Sequence, residues 1–545
     1  MLFRNPPPLP AAPDQTASSP LGRLLLLIIL LSALLAPKGE AADTLIYFGQ
    51  GGQQTVSGSL HVLENGSGLY LIDVGSFVGG DGPNHPWPEE IPVARIRALF
   101  ITHIHADHIG RLPLLLHQGY RGPIYLSRVS YELARVTLPA NLHLIDLGPE
   151  RFYYSRNNAG RKRIPVYLEG YDFAERTVKP ENRVYFTGHR HRLATQGYYL
   201  ARPQRQKLET ELLARLDEQA IISDPDQPFR VDEFKVRFLT TPHMAGSVMV
   251  ELQFRGLRIL FAGDTGANGS PLLPDNPGFP EPIDLLFLEG TYGRDREFDL
   301  AAARTNFRRE LAARLAEGYR VVIPAFALDR SQQIIQEIGR AVADGELPPD
   351  QVIRVCSPTA RELLHRYADF VGREEFAPYF RPEVSKSQFL PPGYLPDCSS
   401  NDPDNPLGLQ HGEIGVMTSG MADYASARQA LLDYLEDPKT LFYFVSYQSP
   451  ASLGGRLTAG PKPPAELRIG AYRRQVKAKI LQTSGFSGHA SPREMIEIFT
   501  AARPRRIYLV HLDPRNATSL TSRYQRAFQA EIIIPRRNER HQLHP

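Results

Sequence analysis

The sequence predicts an α/β fold divided into more than one domain, and three observations carry that expectation. The chain has 545 residues, beyond the length at which a single hydrophobic core keeps growing. Short apolar, strand-like runs alternate with helical spacings along most of it. Several of those runs stop at a His, Asp or Glu, so strand ends converge on one chemically active place. Composition agrees with an ordinary globular enzyme: 42% of residues are hydrophobic and 22% charged, which excludes fibrous and disordered classes. A net charge of +3 and a pI near 8.6 name no partner, although a mild average can hide a basic patch.

The N-terminus reads as an export signal. Arg4 and Arg23 precede an apolar run from Leu24 through Ala36, 13 residues in length, shorter than the roughly 20 that cross a bilayer as a helix. Gly39 and Ala41 are the small residues a signal peptidase accepts. Cleavage is expected after Ala41, making residues 1–41 a signal peptide or, uncleaved, an N-terminal anchor. The protein would be secreted or periplasmic, or anchored facing outward and touching the membrane only through that segment. A misassigned start codon would leave it cytoplasmic. With only Cys356 and Cys398, at most one disulfide forms and no thiolate zinc cage can be built.

From Thr44 to Val74, apolar and polar residues alternate around Gly, Asn and Ser, as in antiparallel strands. A short strand at Ala98–Thr102 ends in His103, and helical spacing from Ile109 to His117 places the histidine cluster on a strand-to-helix loop. Further strands are expected at Phe234–Thr240, Val248–Phe254, Leu257–Ala262 and Leu285–Leu288. From about Asp299 to Gly460 strands and helices alternate as in a separate α/β domain, in which Asp329-Arg-Ser-Gln332 reads as a capping box opening a helix to about Val342. A strand at Ala478–Thr483, a loop holding His489, a helix from Pro492 with Ser491 as N-cap and Glu494 three residues on, and a strand Ile507–Val510 ending at His511 complete the chain. No internal repeat of fixed period is present.

Four ligand-type side chains fall within His103-Ile-His105-Ala-Asp107-His108, a density that core packing does not require. Zinc takes imidazole nitrogen and carboxylate oxygen at about 2.0–2.2 Å, and ligands on one loop fix its geometry at little ordering cost. Residues 103 and 105 project together while 107 and 108 turn the other way, so two metals are implied. A carboxylate at a strand end followed by glycine, Asp264 in Phe261-Ala-Gly-Asp-Thr-Gly266, suits a bridge between ions roughly 3.5–4 Å apart. His243, after a strand and a restrictive proline, is a candidate to complete the first metal.

These motifs resemble the metallo-β-lactamase superfamily, and more narrowly its β-CASP branch of nucleic-acid-processing nucleases. The likeness includes Leu71-Ile-Asp73-Val-Gly75, Thr102–Gly110, Leu288-Glu289-Gly-Thr-Tyr-Gly293, Ser484-Gly-Phe-Ser-Gly-His489-Ala and Leu509-Val-His511. Between them Ile323–Arg330, Thr418-Ser-Gly-Met421, Val445-Ser-Tyr-Gln448 and Leu453-Gly-Gly-Arg456 are similar to the β-CASP domain. The resemblance implies an αββα metallo-β-lactamase sandwich, residues 44–298 and 461–545, into which a β-CASP domain of residues 299–460 is inserted. It also implies that His103, His105 and His243 hold one zinc, that Asp107, His108 and His511 hold the other, and that Asp264 bridges, with Asp73 orienting the ligand loop from behind. Ser419, Gly420, Arg330 and Ser487 become candidates for holding substrate. His511 is followed by Leu-Asp-Pro rather than the glycine and acid common in the family, which puts nearby substrate contacts in doubt.

The implied chemistry is hydrolysis of a phosphodiester, with two zinc ions, or manganese, supplying hydroxide near neutral pH. Asp107 would orient the nucleophile, His489 would protonate the leaving oxygen, and Glu289 would hold His489. Nucleic acid, RNA or single-stranded DNA, is the implied partner. An insertion at about 146–230 adds independent support: between Arg151 and Arg192 there are ten Lys or Arg, four acids and eight Phe or Tyr, a mixture suited to phosphate backbones and stacked bases. His189 and His191 in it are expected at the surface. A hydrolase of small esters, lactones, thioesters or phosphodiesters is the alternative, and a non-catalytic nucleic-acid-binding scaffold is disfavoured because all seven ligand positions are present. The oligomeric state is left open, a homodimer included.

Overall fold

The computed structural model describes residues 44–77, 87–141, 202–279, 281–295, 300–396, 398, 400, 402, 405–470 and 472–544, with two-residue strands between Phe152 and Tyr199. The leader and most of the basic, aromatic stretch, including His189 and His191, lie outside the described residues. Among the described residues no helix is long and apolar enough to cross a membrane.

Two seven-stranded sheets form the larger domain. The first contains β1 (Leu45–Gly51), β2 (Leu60–Asn65), β3 (Gly68–Ile72), β4 (Ile96–Phe100), β5 (Ile124–Leu126) and β6 (Ala220–Ile222). The second contains β7 (Phe229–Val231), β8 (Phe234–Thr240), β9 (Val248–Phe254), β10 (Leu257–Phe261) and β11 (Leu285–Gly290). Successive side chains of a strand point to opposite faces, and the consequence is plain in β3. Tyr70 and Ile72 pack into the core shared with Phe234, Phe261 and Phe287 of the other sheet, while Leu69 and Leu71 pack outward with Leu112 and Leu115 of a covering helix. Strands buried on both faces read as continuous apolar runs, which is why β10 and β11 stood out in the sequence. The second sheet is covered in turn by Met495 and Phe499 against Leu286 and Leu288. The architecture is the expected αββα sandwich. Strands β6 and β7 belong to these sheets, so the expected insertion at 146–230 includes structural strands at its C-terminal end.

The inserted domain is built on a six-stranded, all-parallel sheet of β12 (Arg320–Pro324), β13 (Ile353–Val355), β14 (Tyr394–Leu395), β15 (Ile414–Met417), β16 (Thr440–Phe444) and β19 (Lys479–Gln482), in the order β14-β13-β15-β12-β16-β19. The hairpin of β17 (Glu466–Ile469) and β18 (Tyr472–Gln475) lies in the crossover before β19. The sheet therefore extends past the boundary expected at Gly460, because that glycine lies inside a crossover between parallel strands. Cys356 and Cys398 form a disulfide within this domain.

Parallel strands share one carboxyl edge, the edge of an open α/β sheet where ligands bind. The segments leaving it carry Arg330, at the start of the helix after β12, Ser419 and Gly420 after β15, Tyr447 after β16, and residues 484–489 after β19. The capping box expected at Asp329 is absent. Asp329 has φ +66° and makes no side-chain cap on the helix Arg330–Ala343. That left-handed backbone turns its carboxylate away from the helix amides, and it accepts instead from Arg330 Nη1 at 2.5 Å, Gln333 Nε2 at 2.7 Å and the Tyr367 hydroxyl at 3.1 Å.

Candidate metal centre

The chain reaches the sandwich's edge from both sheets. Strand β4 ends at Phe100, and the loop after it carries His103 and His105. The cluster is not wholly a loop: α1 (Ala106–Ile109) begins inside it, with His105 at the N-cap, so Asp107 and His108 sit on the first helical turn. This helical turn separates the pairs 103/105 and 107/108. Close packing locks it in place, because a Cβ on Gly75 would lie 1.6 Å from the Asp107 carbonyl oxygen. From the second sheet come His243 after β8, Asp264 after β10 and Glu289 within β11. His511 lies inside β20 (Arg506–Leu512) rather than beyond it. Its φ is +46°, at the register shift between β11 and β20, and this breaks the strand's alternation.

The residues converge as two groups, His103, His105, His243 and Asp264, and Asp107, His108 and His511, the ligand-type atoms of each lying within 4.8 Å of one another. Asp264 stands between them. Its Oδ2 is 3.6 Å from His103 Nε2 and 3.5 Å from His243 Nε2. Its Oδ1 is 3.2 Å from His108 Nε2 and 3.9 Å from His511 Nδ1. His105 Nδ1 faces His243 Nε2 at 2.9 Å, and His511 Nε2 faces Asp107 Oδ2 at 3.5 Å.

The opposite ring nitrogens are fixed from behind. His108 Nδ1 lies 2.7 Å from Asp73 Oδ2, and His243 Nδ1 lies 2.7 Å from the Gly488 carbonyl oxygen. Both partners can only accept, so Nδ1 carries a proton and Nε2 is the nitrogen left to face a metal. Asp73 also accepts from Thr102 N and Thr102 Oγ1, each at 2.8 Å. His103 Nε2, His108 Nε2, His511 Nε2 and Asp264 Oδ1 are buried and make no hydrogen bond. Buried polar atoms are rarely left unpaired, and four converging from two sheets fit divalent metal with nitrogen and oxygen ligands.

A second pair abuts this cluster. His489 Nδ1 is 2.9 Å from Glu289 Oε2 and 3.8 Å from Asp264 Oδ2. Glu289 is fixed by the Thr265 amide at 2.8 Å and by the Thr291 hydroxyl, which also lies 2.9 Å from His511 Nδ1.

Burial and neighbouring charge set the protonation of the metal-free cluster. Burial, with the other imidazoles, holds His103 and His243 well below the ordinary histidine value, and burial takes His105 down to about 4. For His108 and His511 burial opposes charge but is outweighed: Asp264 and Asp73 push His108 well above its usual value, and Asp264 and Asp107 push His511 up to about 9. His489 is likewise raised against burial, by Glu289 and Asp264.

Of the candidate substrate residues, Arg330 reaches the centre. Its Nη2 occupies the position beside Gly488 where a Cβ would stand, 1.9 Å from it, and the same Cβ would be 3.0 Å from His243 Nδ1. Ser487 Oγ pairs with the Tyr292 hydroxyl at 2.9 Å. Ser419 and Gly420 lie on the same sheet edge, where Ser419 Oγ accepts from Asp423 N and Gly420 O accepts from Gln448 Nε2. Sequence reasoning missed Thr102, Thr265 and Thr291, which lie inside or beside the recognised motifs. It also missed His61, buried behind Asp73 with its Nδ1 3.1 Å from the Tyr47 hydroxyl. Burial first, then His108 and His511, lower His61 to about 3. A lone histidine in a strand carries no such signal.

Fold and site together define a metal-dependent hydrolase, and the chain resembles the β-CASP branch of the metallo-β-lactamase superfamily. Residues 55–127 match the model of the metallo-beta-lactamase superfamily, and residues 473–535 match that of the Zn-dependent metallo-hydrolase RNA specificity domain. Ribonuclease TTHA0252 of Thermus thermophilus is 28% identical over 468 residues, 85% of this chain and 91% of that protein. Transcription termination factor FttA of Methanosarcina mazei is 24% identical over 497 residues, 88% of this chain and 69% of that protein. RNase aCSPSF2 of Saccharolobus solfataricus is 22% identical over 490 residues, 89% of this chain and 82% of that protein.

Proposed function

We propose that the protein is a ribonuclease that hydrolyses phosphodiester bonds at a two-zinc centre. The observation that carries this reading is the convergence of four unpaired, buried ligand atoms beside the His489–Glu289 pair. Relatives named as ribonucleases support RNA as the substrate class. His103, His105 and His243 would hold one ion and Asp107, His108 and His511 the other, with Asp264 offering one oxygen to each side. When bound, two such ions would make hydroxide available near neutral pH and polarise phosphate oxygens.

The chain's own groups do the rest. Asp107 orients the attacking oxygen. Glu289 engages His489 Nδ1 and stabilises the imidazolium, so Nε2 is the nitrogen from which a proton reaches the leaving oxygen. Arg330, aligned by Asp329 and lodged against Gly488, presents a guanidinium to the phosphate. The apolar leader and the disulfide Cys356–Cys398 support export to an oxidising compartment, which mass spectrometry of the native N-terminus tests: a chain beginning after Ala41 is expected, and an intact Met1 in the cytosol would overturn export.

The test of function uses the chain without residues 1–41, loaded with zinc or manganese, on end-labelled single-stranded RNA and DNA beside a generic phosphodiester and a lactone panel. Metal-dependent cutting of RNA, abolished by Asp107→Ala, is expected and reveals the polarity. Turnover of small substrates alone would replace the ribonuclease reading with that of a small-molecule hydrolase on the same centre.

A further inference from the structure

Arg304, on the helix Leu300–Ala316 that opens the inserted domain, is 5% exposed. Its guanidinium faces three partners. Nε donates to the Gly485 carbonyl at 2.7 Å, Nη2 donates to Gln333 Oε1 at 2.9 Å, and Nη1 lies 3.6 Å from Glu337 Oε2. Gln333 and Glu337 are buried with it, and the guanidinium also lies 4.9 Å from the centroid of the buried Phe486 ring. Taking a charge out of water is costly, and a buried ion pair seldom stabilises a fold more than packed apolar residues of the same volume. Stability alone therefore does not account for Arg304. Glu337 does not require it either, because Arg308 Nε at 3.4 Å and Arg340 Nη1 at 3.1 Å already meet that carboxylate.

Two branches leave the guanidinium, and each ends at the metal centre. The first runs through Gly485 into the loop that carries His489. A Cβ on Gly485 would lie 3.1 Å from both Ala303 Cβ and Arg304 N, so this loop rests directly on the helix. Further along it, Gly488 O meets His243 Nδ1 at 2.7 Å and Ala490 N donates to Thr265 O at 2.7 Å. The loop is thus held by Arg304 on one side of His489 and by the metal-ligand segments on the other. The second branch runs through Gln333, whose Nε2 donates to Asp329 Oδ2 at 2.7 Å. The same oxygen accepts from Arg330 Nη1 at 2.5 Å, and Arg330 Nη2 lodges against Gly488.

We infer that Arg304 is a positioning residue, one buried guanidinium that sets the His489 loop through Gly485 and the Arg330 guanidinium through Gln333 and Asp329. Proton donor and phosphate ligand then keep their places relative to each other. Arg304 acts through those two side chains and not on the substrate. For the roles of His489 and Arg330 this rests on the ribonuclease reading, and it deepens it. A rigid planar fork suits the task, because a lysine ammonium is a single point on a flexible stem and cannot hold the same separated partners in fixed directions.

The test compares R304M with the full parent chain, both zinc-loaded, in two measurements. Hydrogen exchange is expected to rise at the amides of residues 485–490 and to stay unchanged across the metal-binding segment 102–111. On single-stranded RNA kcat is expected to fall ~10–100-fold with metal content retained, the scale of a misplacement of about 1 Å at a reacting group. In a His489→Ala background R304M should lower kcat no further, because its effect on kcat runs through that imidazole; additive losses would overturn the inference. Q333L cuts the second branch alone and should raise KM ~tenfold with kcat kept, and it tests the network should R304M not fold; an unchanged KM would remove that branch. The control R308Q removes another partner of Glu337 on the same helix, with its contacts to Asp344 and Glu346, and touches neither branch. It should lower the unfolding midpoint and leave kcat and KM alone, and a loss of kcat equal to that of R304M would reduce Arg304 to a structural role. Unchanged exchange at 485–490 in R304M would overturn the inference whatever the activity. Unchanged kcat in a parent that cuts RNA would do so while the ribonuclease reading stands. If the parent cuts no RNA but exchange at 485–490 rises as expected, the ribonuclease reading falls and the hold of Arg304 on the loop stands.

Discussion

Glu289 and His489 stand 200 residues apart in the chain, yet Glu289 Oε2 lies 2.9 Å from His489 Nδ1 at the rim of the metal-ligand cluster. The carboxylate belongs to a buried strand of the sandwich and the imidazole to a loop leaving the inserted sheet. The pair proposed to donate the proton is therefore assembled across the junction of the two domains.

His489→Ala should retain both metals and lose about 10²–10⁴-fold in turnover, the usual contribution of a positioned acid. Metal content and kcat on RNA measure this together. Glu289→Gln should lose less, because the imidazole keeps a hydrogen-bond partner but not its charge. Unchanged turnover in His489→Ala would remove that residue from the mechanism.

Asp73→Ala should weaken metal at the Asp107, His108 and His511 group about 10–100-fold, as loss of a partner behind a ligand usually does. His108 would no longer be held with Nδ1 protonated and Nε2 directed inward. The His103, His105 and His243 group should keep its affinity, since the Gly488 carbonyl and not Asp73 orients His243. Competition with a chromogenic chelator resolves the two affinities, and equal weakening of both would contradict this division.

The two groups should differ in pH dependence. In the metal-free protein His103 and His243 are held well below the ordinary range and His105 at about 4, so near neutral pH that group is already unprotonated. His511, pushed up to about 9, and His108, raised well above its usual value, hold protons that an incoming ion must displace. Affinity at the second group should therefore rise with pH until it passes the His511 value, while affinity at the first stays nearly flat above the His105 value. Calorimetry in buffers of different ionisation enthalpy counts the protons released. Equal release from both sites would refute the assignment.

Gly488→Ala should raise KM with little loss of metal. The new methyl group would meet Arg330 Nη2 at 1.9 Å, and the far end of that flexible side chain is what must move. Losing one charge-assisted contact to phosphate is worth about 1.5–3 kcal/mol, about a tenfold or larger rise. The same substitution paired with Arg330→Ala should add nothing further, and an additive effect would place Arg330 outside the substrate path.

The candidate ligand set was legible because its residue types are local and dense. Four ligand-type side chains in six positions, an aspartate framed by glycines and a histidine after Thr-Pro have no packing explanation, and apolar runs marked the strands that carry them. The helix from Pro492 was equally legible, since its cap is a short-range bargain between Ser491 and Glu494. What failed depended on backbone shape. The capping pattern at Asp329 is sound as a pattern, but a left-handed backbone gave that carboxylate to Arg330 and Tyr367.

By itself the sequence marked the candidate ligand residues, the family likeness and several of the strands that carry them. Only the tertiary structure decided which lone pairs face inward, because that depends on Asp73, Gly488 and Thr291 arriving behind the imidazoles from distant strands. It also decided that β19 belongs to the inserted sheet and that Arg304 reaches the Gly485 carbonyl. Hydrogen bonds and ion pairs act over a few ångströms in space whatever the separation along the chain, and a linear pattern records only that separation.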